Sequence, residues 1–327
     1  MFDGQGTQTK ILDFDVASAS IKGSRDYQED SMLVNFPMGQ GSGFAIIADG
    51  IGGHVAGHLA SAIVTTEVFT HMKMQEGHLA SGALNVPFAL RQAATEANNK
   101  VAEHVRRNDE TKGMGSTLLA PVIRGDRLSW LSIGDSPLYL LRDGALRQLN
   151  KDHSMAPQID MMVKTGSMKA EVGKDHPDRN TLTSVVNGEE IAEIDCPKTP
   201  IQIKEGDILI ASTDGLQTLS NSTLAKTIMK GTQQSAVELV KSLLAELSKL
   251  DAPDQDNTTF AVMKAMAPPK VEEVMDLDAM PVLALADDDE AVAAPVAAAA
   301  PEAVEPAKPV KDEKKAYWYR GQKYYRD

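Results

Sequence analysis

Three short, largely apolar runs in this chain are each followed within three residues by an aspartate: residues 44–48 before Asp49, 131–133 before Asp135, and 208–211 before Asp214. Apolar runs of that length, bounded by turn residues, predict buried strands. A carboxylate where a buried strand emerges is costly unless it is paired or meets a cation. Two further acidic steps, Glu29-Asp30 and Asp256-Asn257, stand in similar polar surroundings. If several of these ends converge, they form an oxygen-rich site for hard divalent cations.

The surrounding pattern predicts where such strands lie. Strand-like segments cover 13–21, 31–35, 43–48, 116–123, 127–133, 137–142, 188–195, 201–203, 207–212 and 258–265. Apolar stripes at helical spacing mark 55–74, 86–107 and 235–250. Consecutive strands with two early helices and one late helix imply an α+β fold. Its expected architecture is two antiparallel sheets packed together and covered by helices. Arg142-Asp143-Gly144 reads as a hairpin turn.

Composition narrows the chemistry. The formal net charge of −13 gives no general attraction for nucleic acid or an anionic membrane, so neither is expected as a partner. An anionic substrate would need a local positive device, such as metal ions or an arginine. Cys196 is the sole cysteine, so an intramolecular disulfide is impossible and a reducing, cytoplasmic setting fits. No signal-peptide core or run of about 20 apolar residues is present.

Near Ala267 the composition changes. An acidic, Ala/Pro-rich stretch follows, expected to be a disordered linker over 268–314 after a folded domain over 1–267. The tail, 315–327, holds four of the six tyrosines and one of the two tryptophans. That clustering suggests docking on a protein partner or on the chain's own body, with a disordered end as the competing reading.

Individual motifs leave alternatives open. Arg25 precedes Glu29-Asp30 and suits a phosphate grip, but equally a surface ion pair. Asp49-Gly50-Ile51-Gly52-Gly53-His54 leads from a strand into a helix. It places a carboxylate, the Gly50 carbonyl and a helix N-terminus together, or simply makes a capped turn. Gly113-Met114-Gly115-Ser116-Thr117 reads as a turn opening a buried strand. His153, in Asp152-His153-Ser154, reads as fixing a loop; no G-x-S-x-G elbow supports a catalytic triad. Asn257 is suited to tying down a neighbouring acidic loop.

Together and in this order, RDYQED, DGIGGHVAGHLAS, GMGSTL, IGDSPLYLLRDG, DHS, HPDRNTLTSVV, ILIASTDGL and DNTTF resemble the PP2C (PPM) family of metal-dependent serine/threonine protein phosphatases, in its bacterial form. The match spans about residues 11–265. It implies a four-layer α-β-β-α sandwich with two Mn2+ or Mg2+ ions in a cleft. Asp49 would bridge both ions, Glu29 and the Gly50 carbonyl completing one site, Asp214 and Asp256 the other. Asp135 would join Asp214 at a third, weaker site. Arg25 would hold the phosphate, and Asp30 would orient the site. The implied substrates are phosphoproteins, with a serine/threonine kinase as counterpart. The implied mechanism is attack by a metal-activated hydroxide without a phosphoenzyme, consistent with the lack of a Cys-x5-Arg loop at Cys196.

The chain departs from the family pattern at three places. Ile51 stands where many eukaryotic relatives carry a histidine that acts as general acid, which leaves His54 as a candidate for proton transfer. Pro137 replaces an arginine common after the GDS motif. The segment 155–180 matches a variable flap, with Met161, Met162, Lys164 and Lys169 giving an adaptable surface. Two other readings compete: a catalytically silent binding module, which the intact acidic set argues against, and a phosphatase of small phosphomonoesters.

Overall fold

In the computed structural model, residues 12–37, 39–52 and 55–267 are described, together with the backbone of 316–319 and 322–325. The chain opens with β1 (Asp13–Ile21), β2 (Ser31–Asn35), β3 (Ser42–Ala48) and the short β4 (Gly50–Ile51). Helices α1 (Val55–Met74), α2 (Glu76–Ser81) and α3 (Val86–Arg107) follow. Next come β5 (Gly115–Ser116), β6 (Leu118–Arg124), β7 (Arg127–Ile133), β8 (Leu138–Arg142) and β9 (Ala145–Gln148). Two short helices, α4 (Ala156–Lys164) and α5 (Ala170–Lys174), lead to β10 (Ile201–Gln202) and β11 (Ile208–Ser212). Helices α6 (Asn221–Lys230) and α7 (Ala236–Leu250) precede β12 (Thr258–Met266).

Two five-stranded antiparallel sheets result. One runs in the order β1-β12-β11-β8-β9, the other β10-β7-β6-β3-β2. The inner strands β3 and β11 are buried along their whole length because both of their faces are covered, which is why they appear as unbroken apolar runs, whereas the edge strands β2 and β9 stay partly exposed. Between the sheets lie Ile47, Leu119, Trp130, Leu140, Leu209 and Met263. A second apolar layer joins Phe44, Ile46 and Leu131 to the α1 and α3 residues Val64, Val68, Ala93 and Ala97. A third joins Ile210, Phe260 and Val262 to the α6 and α7 residues Leu224, Ile228, Leu239 and Leu243. Three apolar layers thus separate four layers of secondary structure, the α-β-β-α arrangement.

Local chemistry sets the helix starts. The Asn85 side chain accepts from the Phe88 N–H at 3.2 Å, with Pro87 in the first turn of α3. Ser235 and Glu238 form a reciprocal capping box on α7. The β8–β9 hairpin turns through Asp143 (φ 50) and Gly144 (φ 74), the two positive φ values of a two-residue turn.

The strand expected over 188–195 does not form. Side chains meet its backbone in place of a neighbouring strand: Asn98 accepts from the Gly188 N–H at 2.8 Å and donates to the Glu189 carbonyl at 2.6 Å, and Ser184 accepts from the Glu193 N–H at 3.0 Å. Only Asp195 makes an isolated bridge, to Ser132.

The chain divides into two units, Met1–Val271 and Glu272–Asp327. In the second, β13 (Ala316–Tyr319) pairs antiparallel with β14 (Gln322–Tyr325). The expected linker, 268–314, lies outside the described residues. Among the described residues, no helix is long and apolar enough to cross a membrane.

Candidate active site

The sandwich brings the acidic strand ends together. Asp49 directly follows β3, Asp135 and Asp214 stand two residues beyond β7 and β11, and Asp256 stands two residues before β12. Glu29 and Asp30 lead into β2. A cavity of about 610 Å3 is lined by Arg25, Glu29, Asp49, Asp135, Asp214 and Asp256. The Gly50 backbone lines it too, as does the exposed Ile51. His54 lies outside the described residues.

Backbone clamps hold these carboxylates in place. The Asp49 N–H donates to Thr117 Oγ1 at 2.9 Å, and its carbonyl accepts from the Thr117 N–H and from Ser116 Oγ, each at 2.9 Å. Thr117 Oγ1 also lies 2.8 Å from Ser136 Oγ, beside Asp135. The sequence pattern of Gly113–Thr117 reads as a turn opening a buried strand and does not disclose this role. The available signal was a pair of hydroxyls at the head of a buried strand, where they can serve another strand end.

Glu29 is seated by two glycines. A Cβ on Gly57, in the first turn of α1, would lie 2.5 Å from Glu29 Oε1, and one on Gly50 would lie 2.1 Å from the Gly57 carbonyl oxygen. Only glycine permits this approach. The Glu29 carbonyl accepts from Ser61 Oγ at 2.5 Å, and its N–H donates to Asn257 Oδ1 at 2.8 Å. Asn257, 4% exposed, donates in turn to the carbonyls of Lys22 and Tyr27 at 2.7 and 2.9 Å. One amide therefore ties the Arg25–Glu29 loop to the head of β12.

Asp30, 6% exposed, bridges the sheets. It accepts from Thr213 Oγ1 at 2.9 Å, and that oxygen accepts from the Thr259 N–H at 3.0 Å. The Asp135 loop is held by His153, 2% exposed. Its Nδ1 accepts from the Gly134 N–H at 3.2 Å, and its own N–H donates to the Gly134 carbonyl at 3.1 Å. Burial pushes the His153 imidazole pKa down, which keeps it neutral and able to accept.

The electrostatics are those of an uncompensated anionic centre. Burial, then repulsion from Asp30, Asp214 and Asp135, drives the Asp49 carboxyl well above its ordinary range. Burial with acidic neighbours raises Asp30 and Asp135 to about 7. Asp214 is raised by burial and by Asp256, and its Oδ1 is buried without a hydrogen-bond partner. Among the described residues lining the cavity, Arg25 is the one cation, and it pairs with Asp256 at 2.5 Å.

An all-oxygen donor set with excess negative charge and an unsatisfied buried oxygen fits Mg2+ or Mn2+. Among the described residues no three acidic or imidazole side chains converge on one point. The carboxylates share a cavity, so backbone carbonyls and water would complete each coordination shell, as is usual for Mg2+.

A sequence profile of protein phosphatase 2C matches residues 26–249, and the chain belongs to that family. The serine/threonine protein phosphatase PstP of Mycobacterium tuberculosis is 31% identical over 258 residues, covering 76% of this chain and 45% of PstP. The chain thus spans less than half the length of that relative. The serine/threonine phosphatase stp of Listeria welshimeri is 31% identical over 185 residues, covering 57% of this chain and 71% of its own. A solved structure of the PstP catalytic domain in complex with two manganese ions superposes with a TM-score of 0.60 at 28% identity, covering 78% of this chain and 99% of that one.

Proposed function

We propose that this chain hydrolyses phosphoserine and phosphothreonine in proteins, opposing a serine/threonine kinase, with Mn2+ or Mg2+ as cofactor. The observation that carries this is the cavity in which Asp49, Asp135 and Asp214, buried carboxylates with raised pKa values, face Arg25. Membership of the family and the likeness to the manganese-loaded PstP domain support it.

Glu29, Asp49 and the Gly50 carbonyl would hold one ion, and Asp49, Asp214 and Asp256 the other, in part through water because these three side chains do not converge on one point, with Asp135 and Asp214 at a third, weaker site. When bound, the cations make water a nucleophile near neutral pH and offset charge on the phosphoryl oxygens. Arg25 supplies the protein's own positive charge; its planar guanidinium fits two phosphoryl oxygens and orients the ester. Asp30 and Asn257 fix the acidic loops through Thr213 and Glu29. His54 is the candidate for protonating the departing seryl or threonyl oxygen.

The test is hydrolysis of a phosphothreonine peptide with Mn2+ and with EDTA. Turnover should require the metal and vanish in Asp49→Asn, Asp214→Asn and Asp256→Asn. Turnover surviving in these variants overturns the ligand assignment. A cytoplasmic setting is proposed on the strength of the lone, buried, free Cys196. The tail over 315–327 is proposed to dock on a protein partner; partner binding unchanged after truncation at Ala267 would refute that.

A further inference from the structure

We infer that a second lobe of the cleft, beyond Asp214, reads the polypeptide next to the phosphorylated residue and selects a lysine or arginine there. This rests on the phosphatase reading above and names its substrate class.

The lobe, also of about 610 Å3, shares Asp135, Asn180, Asp214 and Asp256 with the cavity that holds Arg25. It runs from those residues between the start of α4 and the turn Asp214–Thr218. A phosphoryl group seated at Arg25 therefore leaves its polypeptide a continuous path over Asp214. An extended chain advances about 3.3 Å per residue, so two or three residues span roughly 7–10 Å along that path.

Its charge is one-sided. Besides the shared carboxylates, Asp152, Asp160 and Asp254 line it, with Arg179 as the one cation among the described lining residues. Arg179 is spent on Asp160, through Nη1–Oδ1 at 2.7 Å and Nη2–Oδ2 at 3.1 Å. Asp152 accepts the Ser154 N–H at 2.9 Å and feels the Arg179 charge at longer range, and among the described residues neither Asp152 nor Asp254 has an ion-pair partner within 4 Å. The wall also carries Tyr139, 3% exposed. Its hydroxyl accepts from Gln217 at 3.3 Å, and burial raises its pKa, so it retains a proton for a main-chain carbonyl. A polar, anionic lobe with a buried donor suits a basic peptide and repels an acidic one.

The test uses the Mn2+-loaded full chain and phosphothreonine peptides of one core sequence, carrying Lys, Ala or Glu two or three residues to either side. On one side of the phosphothreonine, Lys should exceed Glu by about tenfold in kcat/KM, chiefly through KM, the sum of two partly screened ion pairs. Asp254→Lys or Asp152→Lys should invert the preference toward Glu, a gain that misfolding cannot produce. Equal kcat/KM across the series, a preference for Glu in the wild type, or a Lys preference unmoved by both substitutions overturns the inference. p-Nitrophenyl phosphate, which has no flanking residues, separates the two levels. No metal-dependent turnover of it by the wild type sinks the phosphatase reading; turnover with indifference to peptide charge sinks the lobe assignment alone.

Discussion

Replacing Asp30 by asparagine should stabilise the metal-depleted protein above neutral pH, although it damages the site. The Asp30 carboxyl is raised from the ordinary 3.8 to about 7 in the folded chain, chiefly by burial, with hydrogen bonds from Thr213 and Thr259 pulling it down and repulsion from Asp214 and Asp256 adding to the rise. Ionising it in place therefore costs about 4 kcal/mol at about 1.4 kcal/mol per tenfold change in acidity. The sign follows from proton counting. Between about pH 4 and 7 the folded state keeps a proton that the unfolded state has released, so the unfolding free energy falls as pH rises through that window, and the full cost remains above it. Asparagine removes the charge yet can still accept from Thr213 Oγ1, the bond seen at 2.9 Å. Because neighbouring carboxyls retitrate when one is removed, about half of the cost, roughly 2 kcal/mol, should return as stability. Urea unfolding in EDTA reads this directly. At pH 8 the Asp30→Asn midpoint should lie roughly 1 M above wild type, the gap should close toward pH 4, and Mn2+ should restore the wild type at pH 8. A variant less stable than wild type at pH 8 in EDTA, or one with the same pH dependence, would refute the reasoning.

Asn257→Ala removes the bonds to Glu29, Lys22 and Tyr27; it should cost about 2–4 kcal/mol and weaken Mn2+ binding about 10- to 100-fold, measured by urea unfolding and calorimetric titration. Gly57→Ala places a methyl 2.5 Å from Glu29 Oε1 and 2.9 Å from the Gly50 carbonyl oxygen, so Mn2+ affinity, measured by calorimetric titration, should fall; unaltered affinity would count against the Glu29 seat. Leu119→Ala, in the layer between the sheets, should destabilise by about 2–5 kcal/mol with little change in Mn2+ affinity of the fraction that remains folded.

Strands covered on both faces were the easiest to read from sequence, because burial leaves an unbroken apolar run; β3 and β11 are of this kind. Their acidic ends were legible for the same reason, since Asp49 and Asp214 interrupt a pattern that otherwise excludes charge. The short helices α4, α5 and α6 were not, because segments of 9, 5 and 10 residues carry too little stripe to declare a period. The segment 188–195 misled because its backbone is satisfied by Asn98 and Ser184, which lie far from it along the chain or outside its pattern. The contacts of the site were the least legible. That Ser116 and Thr117 grip Asp49, and that Arg25 meets Asp256 across 231 positions, depends on which strands become neighbours, and no local window contains that information.

The tie between Glu29 and Asn257, 228 positions apart, has a consequence for synthesis. A ribosome delivers the guanidinium and the first carboxylates early, but the amide that fastens them arrives only with the last strand of the sandwich. Long-range closure of this kind forms late and slowly, and domains of this size pass through incomplete states first. A nascent or truncated chain lacking β12 can therefore display Arg25 and Asp49 without a working cleft, and tight cation uptake becomes a signature of a finished chain.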